Sequence, residues 1–195
     1  MVNIYRTQHY ISRLQSVVPV VSLINGAVMG SGTMFGLNST WSVVTERTMW
    51  ALPEVSIAGM PDVGALYHMG QLDGQLGTML ALTGYRLTST SISQADLATH
   101  FCKSELLPDL RQRILSLNGD RHKIIETLEE FQDTSVNKVK EDVNRDSLLK
   151  LKSKCDKVYN SNDMKEIVHN LKMLGDEWSS QQLLLLQKAC PLSLK

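Results

Sequence analysis

A short run of β-branched residues restricts the fold of this chain more than any other feature. Residues 17–24 read VVPVVSLI, and Asn25-Gly26 ends the run. A nearly continuous apolar run of this length is typical of a strand that is buried on both faces, as in a parallel sheet. The segment from Ala27 to Gly36, AVMGSGTMFG, then has the glycine content of a turn that leads into a helix. The pattern indicates an α/β fold.

The charged residues are distributed unevenly along the chain. Only nine of the 40 lie in the first 100 residues, and the other 31 follow. This contrast predicts an α/β core over residues 1–102 and a helical region over residues 103–195, whose helices face water on one side. Basic and acidic residues number 20 each, so no excess of charge indicates nucleic acid or a membrane surface as a partner.

The apolar spacing beyond residue 72 is helical and predicts a series of amphipathic helices. Ser93 is placed where it would be the N-cap of one of these helices. The polar stretch from Asp133 to Ser147 is the best candidate for a mobile connection between two of them.

Several protein classes lack their usual patterns in this sequence. The three cysteines lie far apart without a CxxC pair, so neither a disulfide framework nor a metal site is indicated. No apolar run approaches the ~20 residues that a membrane span needs. No acidic residue occurs before Thr45, which superficially suits a mitochondrial presequence. That segment runs without a break into the predicted strand, so an ordinary helix of the fold is the better interpretation.

Two carboxylates in otherwise apolar loops are the candidates for chemistry. Glu54 follows Pro53 at the end of a predicted strand, and Asp62 follows Pro61 eight residues later. Apolar surroundings raise the pKa of a carboxyl group and suit it to act as a base or nucleophile. These residues alone leave a second interpretation open, in which both carboxylates only cap or hydrogen-bond their own loops.

The glycine-rich turn also has two interpretations. The backbone N–H groups of Gly30, Ser31 and Gly32, at the start of a predicted helix, could hold a developing oxyanion. The alternative is a tight turn in which glycine serves only close packing.

Together these segments resemble the crotonase superfamily, and most closely its 3-hydroxyisobutyryl-CoA hydrolases. From Val21 to Met69 the chain has a strand, an MGGG-like loop, a helix, a PE pair and an MPDVG loop. That subgroup pairs PE with PDVG and lacks the second glutamate of the hydratases, in whose place this chain has Met34. Similar sequence continues over residues 72–102 and again in the last helical stretch, which ends in CPLSLK.

The resemblance implies a crotonase-type fold and a set of site residues. The amide of Ser31, beside Gly30, would bind the thioester oxygen of an acyl-CoA substrate. Glu54 would attack the thioester or activate water, and Asp62 would bind the substrate hydroxyl. Gln8 is the nearest match to a family glutamate in the helix before the first strand. The products would be CoA and 3-hydroxyisobutyrate, as in valine breakdown in the mitochondrion, and no cofactor is implied beyond the CoA of the substrate.

Departures from the family pattern keep other functions open. Ser31 and Ala65 stand where the family usually has glycine. The family's earlier strands, one of which supplies the first oxyanion-hole amide, have no counterpart, so we expect a truncated form or a short relative that is nearly inactive and poorly stable. The alternatives are a catalytically impaired chain that acts only as an oligomer partner, and an enoyl-CoA hydratase, which Met34 disfavours. The acyl-chain preference and the formation of a homo-oligomer are left open.

Overall fold

A computed structural model of the chain describes residues 2–133 and 144–194, in which helices alternate with short strands. The strands are β1 (Val21–Ile24), β2 (Ala27–Met29), β3 (Trp41–Val44), β4 (Met49–Ala51), β5 (Leu87–Thr88) and β6 (His100–Phe101). The helices are α1 (Val2–Leu14), α2 (Thr33–Leu37), α3 (Ala65–Met69), α4 (Leu76–Thr83), α5 (Ser89–Gln94), α6 (Leu107–Ser116), α7 (Arg121–Glu130), α8 (Asn144–Val158), α9 (Met164–Leu174) and α10 (Glu177–Lys188). Short 3₁₀ turns cover Gly30–Gly32, Pro53–Ile57, Ser104–Leu106 and Pro191–Leu194. The predicted α/β class is confirmed.

The strands form two small sheets, in the orders β1-β3-β6 and β2-β4-β5. Strand β1 runs parallel to β3, with Val21 opposite Trp41, and β2 runs parallel to β4, with Ala27 opposite Met49. Strand β6 is parallel to β3, whereas β5 is antiparallel to β4. Within the described residues β1 and β6 are therefore the outer strands of the first sheet, and β2 and β5 are those of the second.

Strand β1 is shorter than the apolar run that predicted it. The backbone N–H groups of Val17 and Val18 both donate to the Leu14 carbonyl at 2.8 Å, which continues the geometry of α1 for one more turn. Pro19 has no N–H to donate, so the strand begins only after it, at Val21.

The prediction that Ser93 begins a helix is wrong. Ser93 lies near the end of α5, and the backbone of Asp96 takes a left-handed φ of 56° just beyond that helix. A left-handed residue stops a helix, and the N–H of Leu97 turns back to the Ile92 carbonyl at 3.1 Å. Of the predicted polar connection, residues 134–143 lie outside the described residues, and Asn144 already belongs to α8.

Two hydrophobic clusters form the interior. The larger cluster contains residues from both predicted regions, such as Leu80 of α4 and Leu171 of α9. The smaller cluster joins Val43 of β3 to Leu110 of α6 and Leu128 of α7. The division of the chain at residue 102 stays a prediction. No helix in the described ranges has both the length and the apolar character required to cross a bilayer.

Candidate functional site

Four of the five residues singled out in the sequence border one pocket. The pocket has a volume of about 330 Å³ and lies between α1, the glycine turn after β2 and the two proline loops. Its lining residues are Ile4, Tyr5, Met29, Gly30, Ser31, Pro53, Glu54, Ile57, Asp62 and Val63. The structure thus brings Gly30, Ser31, Glu54 and Asp62 together, although 32 positions of sequence separate the first from the last.

The Glu54 side chain is half-buried and incompletely hydrogen-bonded. It lies on the 3₁₀ turn that follows β4, and the N–H of Gly59 fixes this loop by donating to the Glu54 carbonyl at 3.0 Å. Burial raises the pKa of the carboxyl; its own backbone N–H opposes the rise, and the negative charge of Asp62 adds to it. Its Oε2 atom is buried without a hydrogen-bond partner among the described residues. This oxygen is therefore shielded from solvent, and its hydrogen-bonding capacity is unused within the described residues.

Asp62 faces the same pocket from the second proline loop. The Asp62 carbonyl accepts a hydrogen bond from the Ala65 N–H at 2.8 Å, while left-handed backbone at Val63 and Gly64 turns the chain into α3. The Tyr5 hydroxyl of α1 donates to Asp62 Oδ2. This hydrogen bond, together with the negative charge of Asp62, raises the pKa of the Tyr5 phenol.

The glycine turn approaches Glu54 so closely that a side chain at Gly30 would press on the Glu54 carboxylate. Gly30 has a left-handed φ of 57°, and a Cβ atom placed on it would lie 2.8 Å from Glu54 Oε1. Since the first N–H groups of a helical turn have no acceptor inside the turn, the amides at Gly30 and Ser31 suit an external acceptor. The pocket lining therefore combines the glycine turn, which carries these N–H groups, with the carboxylates of Glu54 and Asp62.

Gln8 lies behind this turn rather than in the pocket. It is only 3% exposed, and its Nε2 atom donates to the Ser31 carbonyl at 3.0 Å. By holding that carbonyl, Gln8 helps to fix the peptide that follows Ser31. The sequence placed Gln8 in the site as the nearest match to a family glutamate; the structure gives it contact with the turn, not with the pocket beside Glu54.

Sequence reasoning missed Tyr5, which contacts the site most directly after the carboxylates. Its partner Asp62 is 57 residues away, so no local motif joins the two. The available signal was the helical spacing of three between Tyr5 and Gln8, which puts both residues on one face of α1. Within the described ranges no group of three or more His, Cys, Asp or Glu residues is arranged to hold a metal ion.

Comparisons with known sequences identify curated relatives of this chain. It is 35% identical over 179 residues to the mitochondrial 3-hydroxyisobutyryl-CoA hydrolase of Gallus gallus, and 35% identical over 181 residues to that of Homo sapiens. Both alignments cover 91% of this chain, but only 46% and 45% of the relatives. The chain thus spans about half the length of these curated relatives.

Solved structures and a family profile agree with the predicted fold. The crystal structure of a carnitinyl-CoA dehydratase from Mycobacterium thermoresistibile matches with a TM-score of 0.82 and 25% identity, over 98% of this chain and 52% of that one. An enoyl-CoA hydratase from Rhodobacter sphaeroides 2.4.1 matches with a TM-score of 0.79 and 26% identity, over 98% and 51%. The profile of the enoyl-CoA hydratase/isomerase family matches residues 1–195. The chain therefore belongs to the enoyl-CoA hydratase/isomerase family, the crotonases, as its glycine turn and proline loops predicted.

Proposed function

We propose that this protein hydrolyses an acyl-CoA thioester, with 3-hydroxyisobutyryl-CoA as its substrate. The observation that carries the proposal is the half-buried Glu54 carboxylate, which has a free oxygen and lies against the Gly30–Gly32 turn. The names of the curated relatives support the choice of substrate.

Four of the pocket residues have roles in the proposed reaction. The amide of Ser31 binds the thioester oxygen, where negative charge develops as the carbonyl carbon is attacked. Glu54 attacks that carbon directly or takes a proton from the water that does so, and the C–S bond breaks so that CoA leaves as its thiolate. After direct attack, water hydrolyses the acyl–Glu54 anhydride, which releases the hydroxy acid and restores the carboxylate. Asp62 accepts a hydrogen bond from the substrate hydroxyl. Gly30 leaves the space in which the carboxylate and the thioester meet.

Met34 argues against the hydratase alternative. The family's hydratases use a second glutamate at the corresponding position, and here the Met34 side chain is completely buried within the larger hydrophobic cluster. The position that carries the second glutamate in the hydratases is therefore part of the hydrophobic core here. The impaired alternative, in which the chain acts only as an oligomer partner, predicts no turnover and is decided by the assay below.

The remaining parts of the proposal concern location and partners. The relatives' names include the mitochondrion, which supports a mitochondrial location for this protein. The proposed partner is the acyl-CoA itself, and the proposed chemistry needs no further cofactor. Homo-oligomer formation is also proposed, since β1 and β2 are outer strands within the described residues and outer strands pair readily with other chains.

The substitution Glu54→Ala tests the catalytic proposal. We expect it to lower the rate of CoA release from 3-hydroxyisobutyryl-CoA by about 10²–10⁴-fold, as the loss of a catalytic acid or base does. The rate is measured by thiol detection, and circular dichroism checks that the fold is retained. Glu126→Ala, an exposed change on α7, is the matched control. Unchanged turnover in the Glu54 variant removes Glu54 from the mechanism, and no turnover in the unmodified protein favours the impaired alternative.

The substitution Asp62→Ala tests substrate recognition. If Asp62 holds the substrate hydroxyl, its loss costs about 1–3 kcal/mol of transition-state stabilisation for 3-hydroxyisobutyryl-CoA and much less for isobutyryl-CoA. The ratio of kcat/KM for the two substrates measures the difference. Equal losses for both substrates would count against this role.

A further inference from the structure

A second cavity adjoins the candidate site and shares a wall with it. It has a volume of about 450 Å³ and lies between α1 and the start of α3. Its lining residues are Tyr5, Gln8, His9, Ser12, Gln15, Asn38, Val63, Gly64, Tyr67 and His68. Tyr5 and Val63 border both cavities, so these two residues form the wall between them.

One hydrogen bond holds this wall in place. The Tyr5 hydroxyl donates to Asp62 Oδ2, which joins α1 to the second proline loop. The ring is otherwise loosely held, because Tyr5 remains 45% exposed. An acyl group whose carbonyl lies between Ser31 and Glu54, and whose hydroxyl reaches Asp62 Oδ1, would meet the Tyr5 ring next. A longer acyl group that passed from the candidate site into the second cavity would have to cross the wall that Tyr5 and Val63 form.

We infer that Tyr5 limits the size of the acyl group, excluding acyl chains that would extend into the cavity between α1 and α3. This inference rests on the proposed function, because it assumes that an acyl-CoA binds beside Glu54. It assigns Tyr5 a role in specificity rather than in the chemical step.

The second cavity is suited to an alkyl chain once the wall is open. Asn38 and His68 are hydrogen-bonded to each other, with His68 Nε2 and Asn38 Oδ1 3.1 Å apart. An alkyl chain that enters the cavity therefore leaves these two polar groups with a partner. Burial lowers the pKa of His68, which keeps the imidazole neutral at pH 7. The faces of Tyr67 and Val63 provide apolar contact. Each methylene that enters should raise affinity by up to about fourfold, the equivalent of about 0.8 kcal/mol for a fully buried methylene.

Binding of stable analogues tests the inference without depending on turnover. The probes are S-(2-oxoalkyl)-CoA thioethers with four, six and eight carbons in the alkyl group, titrated by calorimetry. The unmodified protein should prefer the shortest probe. In Tyr5→Ala we expect the eight-carbon probe to gain at least tenfold in affinity relative to the four-carbon probe. Tyr5→Phe, which keeps the ring but loses the bond to Asp62, should shift the same ratio by a smaller factor.

The control is Tyr10→Ala, which removes a more exposed tyrosine of the same helix that lines neither cavity. Its length preference should equal that of the unmodified protein. Thermal unfolding establishes first that each variant is folded. If Tyr5→Ala does not fold, Tyr5→Phe alone is used to test the length preference.

Two negative results have different meanings. If the four-carbon probe binds and neither Tyr5 variant changes the ratio of affinities, the size limit is overturned and the proposed function stands. If no probe binds the folded unmodified protein or its variants, acyl-CoA binding itself fails and the size limit fails with it.

Discussion

Two glutamates of this chain lie in opposite electrostatic surroundings. Burial raises the pKa of the half-buried Glu54 above its ordinary value. Hydrogen bonds from Ser104 lower the pKa of Glu46, since its carboxylate accepts from both the hydroxyl and the N–H of that serine. The surroundings of Glu54 therefore favour its protonated form, and those of Glu46 favour its ionised form.

These opposite shifts predict opposite effects on stability. A raised native pKa contributes stability below the unfolded pKa of ~4.3, and that contribution is lost as pH rises through the native pKa. Glu54→Gln should therefore raise the melting temperature at pH 7, with little difference from the unmodified protein near pH 4. A lowered native pKa contributes stability above the unfolded pKa and loses it as pH falls through the native pKa. Glu46→Gln should thus lower the melting temperature at pH 7, and this difference too should shrink in acid.

Calorimetric melting of the three proteins between pH 4 and pH 8 checks both signs. If Glu54→Gln is more stable than the unmodified protein, the Glu54 carboxylate lowers the free energy of unfolding. Such a loss is expected where a residue is kept for function. A melting temperature that falls for Glu54→Gln at pH 7 would refute this account of Glu54, and one that rises for Glu46→Gln would refute the account of Glu46.

Some site residues could be predicted from the sequence, and others could not. Glu54 and Asp62 each follow a proline at the end of an element, and loop carboxylates of this kind are visible in a linear reading. Tyr5 is different because its position matters only through a contact with Asp62 across the fold. The second cavity could not be predicted from the sequence either, because its lining residues come from α1, the end of α2 and α3, which meet only in the folded chain.

At the scale of elements, the glycine turn between β2 and α2 determines the geometry of the site. Its position is fixed by the short parallel pair of β2 and β4, because Glu54 follows β4 just as Gly30 follows β2. Neighbouring parallel strands end at the same edge of a sheet, which places the turn and the carboxylate side by side. The sequence showed both segments, but only the register of Met29 opposite Ala51 shows how close they lie.

The substitution Gly30→Ala tests this dependence. A Cβ atom there would strain the left-handed backbone and press on Glu54 Oε1, so we expect both stability and CoA release to fall. Gly175→Ala is the matched control: its φ of 64° is similar, but its Cβ would make only an ordinary contact of 3.6 Å with the Lys172 carbonyl. Each change should cost about 1–2 kcal/mol of folding free energy.

Thermal unfolding and thiol release, measured on the same preparations, separate the two effects. Only Gly30→Ala should reduce turnover beyond what its stability loss explains. If the Gly175 variant loses activity to the same extent, contact with Glu54 is not the cause.

At the scale of the whole molecule, the C-terminal helices pack against the α/β part through both apolar and polar contacts. Ile167 and Leu171 of α9 belong to the larger hydrophobic cluster. Asp156 of α8 accepts a hydrogen bond from the Gln75 N–H at 2.7 Å, and Lys152 of the same helix pairs with Asp73 at 3.1 Å. A core that is continuous across the predicted boundary at residue 102 should unfold as one unit.

The substitution Leu171→Ala tests that cooperativity. Its side chain is fully buried, so truncation should cost about 2–5 kcal/mol of folding free energy. Two single-tryptophan proteins follow the parts separately, one keeping Trp50 of β4 and the other Trp178 of α10. If the molecule is one cooperative unit, denaturant midpoints from the two tryptophans coincide, and Leu171→Ala lowers both by the same amount. If instead the Trp50 midpoint stays unchanged while the Trp178 midpoint falls, the helical region unfolds independently, and the division at residue 102 marks two domains.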